Sequence, residues 1–248
     1  MATTHPTNDQ LGNSTGVYRA GMSVWMTLVS GIVFALLGSY GLVALLASGT
    51  RLAKGNPLLL PLIGLGVGVA FLVIGYIQAR QNIQVFDQGF TYIKAGATRV
   101  IRWDEVESVQ QQIVLQRVYF IPVATLYTYN IRTIRGETLK LTNSVGKVAQ
   151  LGALIQSETF KRLMPQAIES YNGGGTLQYG KLSINQVGIS NGKETVAWAQ
   201  VKGVQISNGF IAVKKEGKWL TWANVSVAQT PNFFIFLALV DRIVGVQR

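Results

Sequence analysis

The sequence of 248 residues has no cysteine and a single histidine, His5. The absence of cysteine excludes disulfides within the chain, thiolate metal ligands and a cysteine nucleophile. One histidine so close to the start of the chain gives no basis for a Ser-His-Asp relay, a zinc site with histidine ligands, or axial ligation of haem or chlorophyll in an apolar segment. We therefore predict a non-enzymatic protein with no cofactor and no bound metal.

Charged residues are also scarce, at 13% of the chain, whereas folded soluble proteins contain about 25%. Acidic residues are the rarer kind, because 11 Asp and Glu stand against 22 Lys and Arg and give a formal net charge of +11. The hydrophobic share is 48%. A folded surface exposed to water normally needs more charge than this, so the composition predicts a membrane protein.

Two stretches, 22–47 and 57–78, have no charged residue. The first would form about 39 Å of helix at roughly 1.5 Å per residue, enough to cross a hydrocarbon core of about 30 Å with some tilt. Residues 48–56 between them contain Gly, Ser, Asn and basic residues, which is typical of a tight turn in water. We predict a transmembrane helical hairpin over 21–79 in the lipid bilayer, with both chain ends on one side.

A cleavable signal peptide is the competing interpretation of the first stretch, with Ala47 and Gly49 as small residues at a cleavage site. Its apolar core is far longer than the usual length of about 7–15 residues, which favours a retained span. Residues 1–20 precede it, and residues 1–16 are rich in Thr, Asn, Gly and Ser. We predict that these residues form a disordered tail.

The orientation of the hairpin follows from the basic residues around it. Arg19, Arg80 and Lys94 flank one side, and Arg51 and Lys54 flank the other. That difference is small, but the rest of the chain is strongly basic, and an anionic cytoplasmic leaflet attracts Lys and Arg. We predict a location in the cell (inner) membrane with both termini cytoplasmic.

Small residues recur at helical spacing in both spans. Gly64 and Gly68 lie four positions apart on one face, and Gly31, Ala35 and Ser39 form a similar ridge in the first span. The glycines superficially match a dinucleotide-binding fingerprint, but no strand precedes them and no acidic partner follows. We predict close helix packing through these five residues, either within the hairpin or with a partner helix.

Beyond residue 80 the apolar pattern changes to short alternating runs separated by Gly, Asp and Asn turns, which is typical of antiparallel strands. A hairpin is predicted at 126–141, helical spacing covers 145–171, and the run Asn-Gly-Gly-Gly at 172–175 marks a boundary. Strands followed by a helix then occur again. We predict a first β unit at 80–172 and a second, shorter β unit at 173–248.

A Trp-x-x-Val pattern occurs three times, at Trp103, Trp198 and Trp222. Alternating apolar residues follow it, so the indole would cover the core at the point where a strand begins. We predict that Trp103 and Trp198 are largely buried at the start of a strand. Each would pack against the helix that closes its unit.

The segment 86–109, FDQGFTYIKAGATRVIRWDEVESV, follows the apolar hairpin. It resembles bacterial two-span membrane proteins with pleckstrin-homology-like domains, in particular a group with tandem β units that contain Trp. The resemblance covers residues 82–248 and implies a small antiparallel β sandwich or barrel closed by a C-terminal helix, present twice, with no catalytic residue. The predicted fold class is therefore a membrane-anchored α+β protein.

Charged clusters are the first candidates for a contact surface. Asp104, Glu105 and Glu107 are the only gathered carboxylates, and a strand would turn residue 104 away from 105 and 107, which favours a solvated edge over acid–base catalysis. Six basic residues of the first β unit either bind lipid phosphates or form a solvated surface: Lys94, Arg99, Arg102, Arg132, Arg135 and Lys140.

Two apolar stretches outside the spans are the other candidates. The stretch 118–126 includes Phe120 and Ile121, and the stretch 233–240 is apolar on every side of a helix, which requires burial. Each either fills the core of its own unit or contacts a partner or the bilayer.

Two functions are compatible with these observations. The first is a scaffold, an accessory subunit of a larger membrane complex with other membrane proteins as partners. The second is a sensor that binds anionic lipid headgroups at the cytoplasmic surface. Nucleic acid is not an expected partner, because the basic residues are scattered and no nucleic-acid-binding module accompanies them.

Overall fold

A computed structural model of the chain describes residues 11–48 and 58–247. The chain forms two compact units, Met1–Val100 with Asn143–Lys147, and Ile101–Thr142 with Val148–Arg248. The predicted boundary at residue 172 therefore does not coincide with the division between the units. Most of the turn predicted at 48–56 lies outside the described residues.

Two long apolar helices dominate the first unit, α1 (Met22–Ser48) and α2 (Leu59–Ala79). They lie antiparallel, because Gly31 of α1 faces Leu72 of α2 and Gly38 faces Leu65. Both are long enough and apolar enough to cross a membrane, as predicted, and only 11% of each apolar window is buried. That exposure distinguishes them from the core helices of a soluble protein, whose apolar residues are mostly buried.

A four-stranded antiparallel sheet completes the first unit, with the strands in chain order. These strands are β1 (Ser14–Arg19), β2 (Asn82–Phe86), β3 (Gly89–Lys94) and β4 (Ala97–Arg102). The prediction that residues 1–20 form a disordered tail is wrong for the described part, because β1 pairs with β2 and Leu11 is fully buried. The partner strand comes only after both helices, so local composition does not reveal it.

The short segment Asn143–Lys147 holds the start of α1 within the first unit. The Gly21 N–H donates to the Ser144 carbonyl at 2.8 Å, the Gly146 N–H donates to the Arg19 carbonyl at 2.7 Å, and the Ser23 hydroxyl donates to the Asn143 carbonyl at 2.7 Å. A Cβ at Gly21 would approach the Asn143 carbonyl oxygen to 2.5 Å, so this position requires glycine. The sheet and the helix pair are thereby joined at a tightly packed base.

The second unit begins with a single 3-10 turn, Trp103–Glu105, followed by a three-stranded antiparallel sheet and a long helix. These elements are β5 (Val106–Val118), β6 (Ile121–Thr133), β7 (Thr138–Thr142) and α3 (Val148–Asn172). The hairpin predicted at 126–141 is confirmed by the pairing of β6 with β7, and the predicted helix is confirmed by α3.

The rest of the second unit contains two further sheets and a helix. One sheet comprises β8 (Leu177–Tyr179), β9 (Leu182–Ile184), β10 (Gly188–Ser190) and β11 (Thr195–Ala197). After the 3-10 turn Trp198–Gln200, the other comprises β12 (Val201–Ser207), β13 (Phe210–Lys215) and β14 (Thr221–Ser226). The chain continues through α4 (Phe233–Val244) to β15 (Val246–Gln247), which pairs parallel with β12.

The helix α4 is buried on one face only, so the expectation of burial on every side is wrong. Phe236 and Val240 lie in the core that α3 also contacts, whereas Phe234 is exposed. Phe234 and Leu237 line, with Phe160 of α3, an open groove of about 460 Å³ between the two helices. A high apolar content in a short helix therefore does not by itself imply burial all round.

The order of elements along the chain occurs twice. Four antiparallel strands, a 3-10 turn that begins with Trp, three antiparallel strands and a helix form the series from β1 to α3 and again from β8 to α4. The second series contains every element of the first except α1 and α2. It is shorter because it lacks the inserted pair α1–α2 and because its strands β12 and β13 are shorter than β5 and β6.

Candidate functional site

Outside the two long helices, the far end of the β5–β6 hairpin carries a long run of exposed apolar residues. Both strands have 13 residues, whereas β7 has 5 and pairs only with residues 128–132 of β6. Residues 113–127 therefore continue as a two-stranded ribbon about 20 Å long, at roughly 3.4 Å per residue. We call these residues the hairpin arm.

Apolar side chains of the hairpin arm face the solvent on both sides of the ribbon. The tip residues Tyr119 and Phe120 are 91% and 95% exposed, and Ile121 beside them is also exposed. The other exposed apolar residues of the arm are Ile113, Val114, Leu115, Val118, Val123 and Leu126. Arg117 is the one charged residue between 113 and 127. The first alternative, that this stretch fills the core of its own unit, is therefore wrong for these residues. Contact with a partner or with the bilayer stays a prediction.

The tip has an unusual composition for its backbone conformation. Tyr119 and Phe120 have φ values of +47° and +68°, and Val118 pairs with Ile121 around them in a two-residue turn. Turns of this shape normally contain Asn and Gly, because a side chain in the left-handed region costs about 1–2 kcal/mol per residue. Two aromatic residues thus stand where they disfavour the turn, and their side chains are almost fully exposed, which points to a role outside the fold.

The base of the arm is held firmly by the two helices of the second unit. Asn232, just before α4, donates through its N–H to the Val109 carbonyl at 2.9 Å, and its Oδ1 accepts from the Val109 N–H at 3.0 Å. The Gln156 amide of α3 donates to Gln111 Oε1 at 2.8 Å. These contacts fix the direction in which the arm leaves the sheet.

The Tyr129 ring adds to this base. The ring lies so close to Gly152 of α3 that a Cβ on this glycine would overlap the ring. Burial raises the pKa of the Tyr129 phenol. The glycine therefore allows the helix to lie directly against the three-stranded sheet.

Three of the six predicted phosphate-binding residues are already paired with carboxylates. Arg102 Nε donates to Asp104 Oδ1 at 3.1 Å, a hydrogen bond that raises the pKa of the guanidinium. Arg132 pairs with Glu107 at 3.1 Å, and Arg135 pairs with Glu105. The acidic cluster thus serves as a set of partners for these arginines on the surface.

The other three predicted cations are exposed and form no ion pair with another described residue. Lys94 and Arg99 belong to the first unit, on β3 and β4, and Lys140 belongs to the second, on β7. The six residues do not form one continuous basic site on a single unit.

The predicted small-residue ridge lies at the contact of α1 with α2, with one exchange. A Cβ at Gly68 would approach the Ala35 backbone nitrogen to 2.5 Å, and one at Gly31 would approach Leu72 to 3.0 Å. Ser39 is exposed and its hydroxyl donates to the Ala35 carbonyl of its own helix. Gly38 takes the place predicted for Ser39, and Gly64 lies opposite it, where an added Cβ would be 3.5 Å from the Gly38 Cα.

The three predicted tryptophans have different environments. Trp103 is 2% exposed in the 3-10 turn before β5, and α3 lies beside that turn. Trp198 begins the corresponding turn before β12 but is only half-buried, with its Nε1 donating to the Asn185 carbonyl at 2.7 Å. Trp222 lies within β14 and does not itself begin a 3-10 turn, so the third occurrence of the pattern is not structurally equivalent.

Trp222 instead takes part in a surface ion pair. Its Nε1 donates to Glu194 at 3.0 Å, and Lys215 Nζ donates to the same carboxylate at 2.9 Å. The hydrogen bonds from Lys215 and Trp222 hold the pKa of the Glu194 carboxyl below its usual value. Trp219, in the nearby turn, is fully exposed and was not identified from the sequence, where only the adjoining Gly217-Lys218 pair signalled a turn.

No group of three His, Asp or Glu residues suited to a metal ion is present among the described residues. The chain belongs to the family of unknown function DUF6585, whose family model matches residues 1–248. No curated protein matches the sequence.

Proposed function

We propose that this chain is a non-enzymatic, membrane-anchored scaffold protein, an accessory subunit of a larger membrane complex, and that the hairpin arm is its partner-binding element. The observation that carries this proposal is the apolar ribbon with a fully exposed aromatic tip. Monomeric proteins rarely expose continuous apolar patches larger than about 300–600 Å², and larger patches usually mark interaction sites.

The helices α1 and α2 supply the membrane anchor in this proposal. Their outer surfaces are apolar, with large exposed residues such as Leu36, Leu46 and Leu60, and they contain no charge. Exposure of such a surface to water is unfavourable, whereas contact with the hydrocarbon core of a bilayer removes that cost. The proposed location is the cell membrane with both chain ends in the cytoplasm, in agreement with the basic charge of the region after the helices.

The element order supports a pleckstrin-homology-like architecture for each series of strands and helix. Antiparallel strands followed by a helix, twice in succession, are compatible with the sandwich closed by a C-terminal helix that the sequence resemblance implies. We propose that the two series are tandem domains of this type, the first interrupted by the anchor. Such domains commonly serve as binding platforms, so this architecture is compatible with a scaffold.

A lipid-headgroup sensor is the weaker alternative. Binding of phosphate requires free cations, and Arg102, Arg132 and Arg135 are each engaged by a carboxylate. Opening these pairs would leave Asp104, Glu105 and Glu107 facing the same phosphates. The arm, by contrast, offers an apolar surface with one charge and is suited to a protein partner.

The test replaces the two aromatic residues at the tip of the arm by residues that suit the backbone conformation of the turn. In the double variant Tyr119→Asn/Phe120→Gly, the turn receives the residues that its backbone prefers, while both exposed rings are lost. The full chain is extracted from its native membrane in mild detergent, and the mass and composition of its assembly are measured. We expect the wild type to migrate as a stoichiometric complex and the variant to bind its partners at least about tenfold more weakly, equivalent to about 1.4 kcal/mol.

The matched control is Val187→Ser, which removes an exposed aliphatic side chain elsewhere on the second unit. It should leave the assembly unchanged. An assembly of identical mass and subunit ratio with the exchanged tip would show that the arm is not the binding element.

A further inference from the structure

The turn between β13 and β14 presents two large apolar side chains to the solvent. We call residues 216–220 the Trp219 turn. Trp219 is fully exposed and Leu220 is 81% exposed. The backbone of the turn is nevertheless held in place, because the Glu216 N–H donates to the Gln200 carbonyl at 2.8 Å. The two apolar side chains therefore project from a fixed backbone and do not pack into the core of the second unit.

Lysines surround the Trp219 turn. Lys214 lies at the end of β13, Lys218 lies in the turn itself, and Lys193 lies in the turn between β10 and β11. None of these three forms an ion pair with another residue in the part of the chain that the structure describes. Lys215 Nζ donates to Glu194 at 2.9 Å, which brings the turn that contains Lys193 next to the Trp219 turn. Three unpaired cations therefore lie around the exposed apolar side chains.

The chemistry of this surface differs from that of the hairpin arm. The arm contains one charged residue, whereas the Trp219 turn combines an exposed indole and an exposed leucine with three unpaired lysines. Lysine is depleted in protein–protein interfaces. Tryptophan is enriched where a bilayer meets water, because its ring is apolar and its N–H is polar, and lysine is attracted to anionic lipids. An anionic bilayer surface therefore suits this turn better than a protein partner does.

We propose that the Trp219 turn inserts Trp219 and Leu220 into the headgroup region of an anionic bilayer, and that the three unpaired lysines contact the lipid phosphates. This contact gives the second unit its own attachment to a membrane and uses none of the six cations considered for a headgroup sensor. The helices α1 and α2 tether the chain to a bilayer in the proposed function, so the high local concentration of lipid favours even a weak contact. The inference rests on that anchor and does not involve the hairpin arm.

The absence of cysteine in the chain allows a label to be placed at a single position of the turn. Leu220→Cys is labelled with a nitrobenzoxadiazole dye, and the full chain is reconstituted into phosphatidylcholine vesicles with and without phosphatidylglycerol. We expect spin-labelled lipid to quench this dye, and to do so strongly only when phosphatidylglycerol is present. The matched control is Ser207→Cys, because Ser207 is exposed at the opposite end of the sheet, where β12 meets β13. Equal quenching of the two labels would overturn the proposal.

A charge variant measures the contribution of the lysines. One lysine near an anionic surface favours contact about fivefold. Lys214→Gln/Lys218→Gln should therefore lower the ratio of embedded to water-exposed label at position 220 at least about tenfold. The control Lys140→Gln/Lys181→Gln removes the same charge from two exposed positions elsewhere on the second unit and should leave the ratio unchanged. An equal change in both variants would indicate general attraction of the basic chain and would contradict a contact at the turn.

The anchor and the turn fail in different ways. If the chain floats with vesicles after alkaline extraction but the label at position 220 stays in water, the turn contact is wrong and the anchor stands. If alkali releases the chain, yet the label is embedded at neutral pH, the anchor is wrong and the turn contact stands. A label that is accessible to a water-soluble quencher in vesicles but protected in native membranes would overturn the lipid contact in favour of a protein partner.

Discussion

At the scale of single residues, Leu11 reports whether the segment before α1 belongs to the fold. Its side chain is fully buried and its carbonyl accepts from the Gln88 N–H at 2.9 Å. Leu11→Ala should lower the free energy of unfolding by about 2–5 kcal/mol. Val17→Ala, at a position that is 51% exposed on β1, should change it by less than about 1 kcal/mol. Thermal unfolding of the full chain in detergent measures both, and a disordered segment would show no effect from either.

The tryptophans should differ in the same measurement. Trp103→Ala removes a fully buried indole and should destabilise the second unit by about 3–5 kcal/mol. Trp198→Ala removes a half-buried ring and one hydrogen bond to Asn185, and we expect a smaller loss of about 1–3 kcal/mol. Trp219→Ala, at a fully exposed position, serves as the control. Equal losses for Trp103 and Trp198 would contradict the difference in their burial.

The tryptophans of the Trp-x-x-Val pattern show what a sequence pattern predicts about a side chain. The Trp-x-x-Val pattern located Trp103 and Trp198 at equivalent turns before a strand, because the pattern reflects local backbone geometry. The burial predicted for both is confirmed for Trp103, whereas Trp198 is only half-buried. Burial depends on residues that are distant in sequence, such as those of α3 beside Trp103. The same limit applies to Arg102, Arg132 and Arg135, whose carboxylate partners make them poor phosphate ligands.

At the scale of elements, the contact of α1 with α2 depends on where a glycine faces the other helix. Gly68 is buried against Ala35, whereas nothing lies within 4 Å of a Cβ at Gly66 on the same helix. Gly68→Ala should force the helices apart and destabilise the pair by about 1–3 kcal/mol, the usual range for overpacking. Gly66→Ala should have little effect. Protease resistance of the full chain in increasing SDS compares the two, and equal resistance would rule out close packing at Gly68.

The hairpin arm has a prediction of its own, independent of any partner. The Tyr119→Asn/Phe120→Gly exchange relieves two side chains from the left-handed region and should stabilise the ribbon by about 1–2 kcal/mol. Hydrogen exchange of the amides in residues 113–127 should therefore slow in the purified variant. Faster exchange would mean that the rings stabilise the arm within the chain rather than through a partner.

Elements were predicted well from the sequence where their pattern is local. Helical periodicity gave α3, the uncharged runs gave α1 and α2 within a few residues, and a turn motif gave the β6–β7 hairpin. The strand β1 was missed because its partner follows both apolar helices, and α4 was misjudged because burial depends on which face meets α3. The projection of the arm could not be predicted from the sequence. It arises because β7 pairs only with residues 128–132 of β6 and leaves the rest of β6 uncovered.

At the scale of the whole molecule, the helix pair is an insertion in a repeated series. The antiparallel packing of α1 on α2 places the start of α1 and the end of α2 at one end of the pair, and the pairing of β1 with β2 requires the same arrangement. Removal of α1 by a signal peptidase would also remove β1 and uncover the edge of β2. The structure therefore favours a retained hairpin over a cleaved leader.

The orientation of the hairpin can be tested with reporter fusions. If α1 and α2 both cross the bilayer, β1 and everything after α2 share one side. From the excess of Lys and Arg in the later part of the chain we expect that side to be the cytoplasm. A reporter active only in the cytoplasm should work at the C-terminus and fail when inserted between Arg51 and Lys54, and an exported reporter should show the reverse. A tag before residue 11 should remain on a full-length band in immunoblots. An external C-terminus would overturn the charge argument, while cytoplasmic activity at all positions would show that the helices lie on the membrane without crossing it.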